Sequence, residues 1–347
     1  MTRPKLLMVG NFLSATHGVR GVCEELALRL PPLGWPVLTT SSQPGKAARL
    51  LDMLRTTWQQ REAYAVSQVD VYSGAAFVWA EAVCWLLRRA GKPYILTLHG
   101  GNLPTFARRW PQRVRRLLAS AQAVTAPSRY LREALQHLRA DIRIQPNPLD
   151  LRQYEFRWRR APQPRLVWLR AFHEMYNPTL AVEVVAQLAA QFPSITLLMI
   201  GPDKGDGSWQ RVQAAAERWR VADRITFTGA VPKTAVAQHL QHGDIFLNTT
   251  NVDNTPVSVL EAMACGLCVV STNVGGLPYL LTNEGDALLV PHNDAAQMAA
   301  AVARVVNEPE LAARLSQCAR HTAAQCDWDV VLQQWDALLR RIMREEA

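Results

Sequence analysis

The chain has 347 residues, of which 49% are hydrophobic and 19% charged, with a net charge of +9. That length favours about two domains, the apolar share is ample for buried cores, and six scattered cysteines suit a reducing compartment rather than a disulfide framework. No run approaches ~18 apolar residues without a charge, and the N-terminus lacks the apolar length and cleavage site of a signal peptide. A cytoplasmic chain without a membrane span is therefore expected.

The first half reads as alternating strands and helices. Lys5–Gly10 is an apolar strand, and Asn11–Gly21 is a loop carrying Gly18 and Gly21. Val22–Leu30 then has helical spacing and stops at Pro31-Pro32. A glycine turn from strand into helix is a place where backbone N–H groups can approach phosphate. It is not G-x-G-x-x-G, so it does not support a dinucleotide site. An Arg-bearing amphipathic stretch over 47–64, a strand over 69–72 and a helix over 75–90 follow. Lys92–His99 is a strand running into Gly100-Gly101, which leaves His99 at a carboxyl end, where open α/β sheets bind ligands.

Arg108, Arg109, Arg113, Arg115 and Arg116 form the densest positive cluster, five arginines in nine residues, with Trp110 and Val114 among them. A solvated helix face, an anionic membrane surface or lipid-linked acceptor, and nucleic acid all suit it. No nucleic-acid motif accompanies it, so no nucleic-acid partner is expected. Residues 1–155 carry 21 Lys+Arg against 10 Asp+Glu, a balance of +11, and residues 156–347 carry 17 against 19, a balance of −2. The first half is thus the part suited to an anionic partner. Strands over 121–126 and 142–145 complete it, and 151–164, rich in arginine and proline, reads as a linker.

The second half opens on a strand, 165–169, with Arg170 at its carboxyl end and a helix from Thr179 to Gln191. The strand 194–200 leads into Gly201–Gly207, a turn carrying Lys204, and 224–229 leads into Ala230-Val231-Pro232. Asp253–Gly266 then reads as a loop opening a short helix, with Thr255 as N-cap, Pro256 in the first helical position and Gly266 past the end. Glu261 stands on that helix among Val257, Leu260, Met263 and Ala264. A carboxylate there is costly without hydrogen-bond donors. A core Glu paired with an arginine accounts for it as well as a ligand contact does. Cys265-Gly-Leu-Cys268 has no second Cys or His pair, and Asp327-Trp-Asp329 marks a helix start, so no metal is assigned. Helices over 295–306, 310–325 and 328–343 end the chain.

Asp253 and Glu261 are eight apart, followed by Ala-Met-Ala-Cys-Gly and then Asn273-Val-Gly-Gly-Leu-Pro278. That resembles the retaining glycosyltransferases of family 4, whose signature is Glu, seven residues, Glu, then a Gly-Gly-x-Pro loop. Asp253 replaces the first Glu, and Tyr279 stands where an acidic residue often follows. The resemblance runs over nearly the whole chain and is strongest over 225–291. It implies a GT-B fold, two doubly wound α/β domains facing a central cleft. The first domain would be 1–155 with the C-terminal helix 327–347, and the donor domain 156–326.

The resemblance also implies roles. His99 and Asp253 would contact the donor sugar, Arg170 its diphosphate, Glu261 the ribose diol and Val231 the base. Gly18, Gly21, Gly201, Asn254, Thr255, Pro256 and Ser258 would complete the donor site. The family's Lys-Gly after the Arg is missing, with Tyr176-Asn177-Pro178 in that place, and Lys204 is the substitute cation expected here. The implied reaction is metal-independent, retaining transfer from a nucleoside-diphosphate sugar to an acceptor hydroxyl. No cofactor is needed beyond that co-substrate. The acceptor expected is a lipid-linked glycan in bacterial cell-surface polysaccharide assembly, with the protein peripheral at the inner membrane face. Two rivals are a nucleotide-sugar 2-epimerase of the same fold and a catalytically silent nucleotide-sugar-binding protein.

Overall fold

The structure is a computed structural model that describes residues 4–17 and 20–345. The chain divides into two units, Met1–Pro148 with Asp329–Ala347, and Leu149–Trp328. Each is built on a six-stranded sheet whose pairings are all parallel. Parallel neighbours need long crossovers, which the intervening helices supply. Helices on both faces explain strands with no polar alternation, such as Leu6–Val9 and Cys268–Thr272, buried at every position.

The first unit contains β1 (Leu6–Val9), β2 (Val37–Thr40), β3 (Val66–Val71), β4 (Tyr94–Leu98), β5 (Ala123–Ala126) and β6 (Arg143–Ile144). Their order is β2-β1-β3-β4-β5-β6, so the direction of winding reverses between β1 and β3. The second contains β7 (Arg165–Leu169), β8 (Thr196–Ile200), β9 (Ile225–Gly229), β10 (Ile245–Asn248), β11 (Cys268–Thr272) and β12 (Ala287–Val290). Their order is β12-β11-β10-β7-β8-β9, with the reversal between β7 and β10. Loops at the carboxyl ends of strands flanking such a reversal splay apart and leave a crevice.

Three expectations need correction. The first unit stops at 148 rather than 155, because the expected linker is packed into the second unit. There, Tyr154 is buried in an apolar cluster with Val259, Leu260 and Met263. Arg159 is buried too, donating to the carbonyls of Gly243 (3.0 Å) and Cys265 beside Asp244. Burial brings the Arg159 guanidinium down to about 10. Second, the arginine cluster lies on two helices, Leu103–Arg109 and Pro111–Ala119, which meet at Trp110. Third, a single helical turn, Ser14–His17, interrupts the first loop. The C-terminal helix Trp328–Glu345 is held to the first unit by Trp35 Nε1 donating to Asp336 (2.8 Å) and Gln145 donating to the Val331 carbonyl (3.1 Å).

Candidate active site

The reversal point of the second sheet carries two of the residues singled out from the sequence. Arg170 follows β7 directly, its N–H donating to the Ile200 carbonyl (3.0 Å). Its guanidinium is ion-paired with the Asp253 carboxylate and lies over the Tyr176 ring, 4.7 Å from the centroid. Its Nε is buried and has no partner. Burial holds the Asp253 carboxyl above the usual carboxylate range, against the opposing pull of Arg170. Asp253 also accepts the Asn254 N–H (2.8 Å).

Glycines let the strand-end loops converge there. A Cβ on Gly201, at φ +145°, would stand 1.8 Å from the Arg170 carbonyl oxygen. One on Gly276 would stand 1.9 Å from the Asn254 oxygen, and Gly276 N–H donates to Asp253 O (2.9 Å). No side chain fits at either position.

The helix after this loop is Val257–Ala264, and its N-cap is Pro256, not Thr255. Val259 and Leu260 turn their N–H groups to the Pro256 carbonyl, so the Thr255 hydroxyl has no capping role. Instead Thr255 Oγ1 and Ser258 Oγ are buried without partners. Buried polar atoms are nearly always hydrogen-bonded. Two such hydroxyls at a helix start and a guanidinium Nε at the neighbouring strand end are thus gathered beside the Asp253 loop without partners of their own.

Glu261, on the same helix, is buried, and its partners are not the arginine considered from the sequence. Tyr154 Oη donates to Oε1 (2.7 Å), and the Lys233 ammonium is ion-paired with the same oxygen. Burial first, then the Glu261 charge, push the Tyr154 phenol far above its ordinary range. Val231 and Lys233 come from the turn after β9, and Val231 packs against the cluster beneath Glu261. Lys233 and Tyr154 were missed because they lie 28 and 107 residues away along the chain. Lys204 is exposed and has no ion pair among the described residues. The cation that reaches the site's carboxylates, besides Arg170, is Lys233.

In the first unit, His99 follows β4, and its N–H donates to the Val71 carbonyl (2.9 Å). Its Nε2 meets Asp70 Oδ1 at 2.9 Å, and its ring stacks on Tyr72 at 4.8 Å and 16°. Asp70 lies on β3, at the reversal point of this sheet. It was missed, although an acidic residue inside Val69-Asp70-Val71 is a visible signal. Gly18 lies outside the described residues. Gly21 corrects an expectation: its N–H donates to Glu24 Oε2 (2.8 Å) while Ser14 N–H donates to Oε1 (2.9 Å). That amide is already satisfied by the chain's own carboxylate and does not face a phosphate. In the basic cluster, Arg113 is held by Glu81 and lies over Phe77. Arg108, Arg109, Arg115 and Arg116 are exposed, as is Trp110.

Comparison with known proteins covers most of the chain. Residues 155–322 match the model of glycosyl transferases group 1, and residues 11–153 match that of glycosyltransferase family 4. A phosphatidylinositol N-acetylglucosaminyltransferase subunit from Arabidopsis thaliana is 32% identical over 143 residues, 40% of this chain and 31% of the relative. A D-inositol 3-phosphate glycosyltransferase of Segniliparus rotundus is 24% identical over 272 residues, 71% of this chain and 61% of the relative. The chain thus spans under two thirds of the length of these curated relatives. The fold is that of HepE from Anabaena, crystallised with UDP, at a TM-score of 0.77 and 16% identity over 98% of this chain and all of HepE.

Proposed function

The chain belongs to the glycosyltransferases of group 1 and family 4, and on that premise we propose that it transfers a sugar from a nucleoside-diphosphate sugar to an acceptor hydroxyl, with retention of anomeric configuration. The observation that carries this reading is the grouping at the second sheet's reversal point. Arg170 with its orphan Nε, the paired Asp253 and the orphan Thr255 hydroxyl belong to loops gathered there, and the orphan Ser258 hydroxyl to the first turn of the helix that follows. HepE has also been crystallised with UDP-glucose, which supports a nucleotide sugar as donor.

In this reading the donor diphosphate lies against Arg170 and the start of the helix Val257–Ala264. Anions are favoured there by the guanidinium and by unpaired backbone N–H groups. The ribose diol donates to Glu261, whose Oε1 is fixed by Tyr154 and Lys233. The sugar lies against Asp253, and the family resemblance implies a sugar contact for His99. The bond from the anomeric carbon to the diphosphate oxygen breaks, and the nucleoside diphosphate departs with its added charge held by Arg170. The acceptor oxygen bonds to the same face, and its proton passes to the departing phosphate oxygen. Fixed cationic and dipolar groups stabilise the leaving charge, so no metal is required.

The acceptor proposed is a lipid-linked glycan at the inner membrane face. Exposed Arg108, Arg109, Arg115 and Arg116, with Trp110, support it, as does a groove of about 300 Å³ lined by Trp85, Arg88 and Arg116. The test is Arg170→Ala assayed for release of nucleoside diphosphate. A fall in kcat of roughly 10²-fold or more with the melting temperature retained is expected. Full activity overturns the assignment. Change of the donor alone, followed by proton NMR without acceptor, would identify an epimerase instead.

A further inference from the structure

We propose that Asp70 is a positioning residue that fixes the tautomer and orientation of His99, so that Nδ1 is left as the hydrogen-bond acceptor for a ligand hydroxyl. Asp70 Oδ1 lies 2.9 Å from His99 Nε2. An Asp carboxylate can only accept, so Nε2 carries the hydrogen, and in the neutral ring Nδ1 keeps its lone pair. Geometry on every side holds the pair in place. Gln68 Nε2 donates to the same Oδ1 (2.8 Å) and to Thr97 Oγ1 (2.8 Å), which steadies the carboxylate from its own strand and from β4. On the Oδ2 side, β1 is followed by Gly10, where a Cβ would stand 2.7 Å from Oδ2 and 2.8 Å from Cys23 Sγ. Only glycine leaves room for the carboxylate. Tyr72 lies nearly parallel to the imidazole and fixes the plane of the ring, while the Nε2 contact with Asp70 selects which edge faces the carboxylate. Burial, and then the Asp70 charge, push the Cys23 thiol well above its ordinary range. Cys23 therefore sits against Asp70 as a neutral group that does not compete for its charge.

A sugar hydroxyl meeting this ring donates to Nδ1. The Asp70 charge, relayed through the Nε2–H bond, makes that nitrogen a stronger acceptor. The same logic holds wherever a carboxylate orients a working histidine, and loss of such a partner costs about 10- to 100-fold in activity in metal sites and more in a protease triad. The catalytic consequence rests on the glycosyl-transfer reading above; the tautomer itself does not.

The experiment is long-range proton–nitrogen NMR of the full chain, uniformly labelled with nitrogen-15, above the histidine titration range, with His99→Gln to assign the ring. The expected wild-type signal is a single Nε2–H tautomer. Asp70→Ala should average the two tautomers and lower kcat about 10- to 100-fold, with donor KM changed less than about twofold. Asp70→Asn, whose amide oxygen can still accept, should restore the Nε2–H signal and part of kcat. An Nδ1–H tautomer in the wild type overturns the proposal, and needs no variant to be seen. An unchanged kcat in Asp70→Ala with averaged tautomers overturns it as well. Absence of transfer by the wild type toward any acceptor overturns the glycosyl-transfer reading instead, and the NMR result still decides the role of Asp70.

Discussion

Glu261 shows at the residue scale how a buried charge is made tolerable. Its Oε1 takes a phenol and an ammonium, and only the ammonium, with 48% of the Lys233 side chain exposed, is reached by water. Glu261 itself is buried, and removing the partner of a buried charge leaves that charge uncompensated. Lys233→Met should therefore cost more than about 2 kcal/mol of unfolding free energy, and more than Tyr154→Phe, which removes a buried neutral hydrogen bond and should cost about 1–2 kcal/mol. Urea titration of the two variants checks the order. Glu261→Gln should keep the fold and weaken nucleoside-diphosphate binding about tenfold, read by thermal shift, since a native-state ligand raises apparent stability by mass action. Asp206 supplies a pH dependence. Its carboxylate accepts the Glu174 N–H (2.8 Å) and the Ser208 N–H (3.0 Å), and the first of these chiefly lowers it to about 2. A depressed carboxyl contributes stability that is present above its unfolded value of 3.8 and lost as pH falls through about 2. Asp206→Asn should flatten that acid limb, followed by urea midpoints between those two pH values.

The glycine contacts matter at the scale of elements, because they decide whether the strand-end loops of the second unit can close on one another. Gly276→Ala would drive a methyl into the Asn254 carbonyl, and the loop holding Asp253 would have to move. A loss of more than about 2 kcal/mol and of the nucleoside-diphosphate thermal shift is expected. Gly21→Ala, with nothing within 4 Å of the added carbon, should leave both unchanged. The helix Val257–Ala264 shows where sequence logic stops. Its residues and span were legible from the apolar run and from Gly266. Its first residue was not, because Thr255 and Pro256 are both good start signals and only the hydrogen bonds to the Pro256 carbonyl choose between them.

For the whole molecule, the uneven charge is the leading feature. The first 155 residues carry a balance of +11, and the arginines of the two helices around Trp110 are the exposed concentration of it. The protein should sediment with anionic vesicles at low salt and not with neutral ones, since contacts between exposed charges are screened as the Debye length shrinks. Replacing Arg108, Arg109, Arg115 and Arg116 with Glu should abolish the binding. Arg113→Ala should change it little, because Arg113 is already neutralised by Glu81. Equal binding to neutral vesicles would remove the basic surface from the proposed function.

The sequence by itself determined the class of fold, since uninterrupted apolar strands alternating with amphipathic helices leave few packings other than parallel sheets covered on both faces. It also placed Arg170 and His99 at strand ends and Asp253 in the loop after another strand, because a strand's carboxyl end can be read from where its apolar run stops. Only the tertiary structure decided the partners. Asp70 for His99, Lys233 and Tyr154 for Glu261, and Glu24 for the Gly21 amide are meetings set by strand order and loop closure. Local sequence carries periodicity and chain punctuation, but a contact between distant residues depends on which strands become neighbours, and that is settled by the packing of the whole sheet.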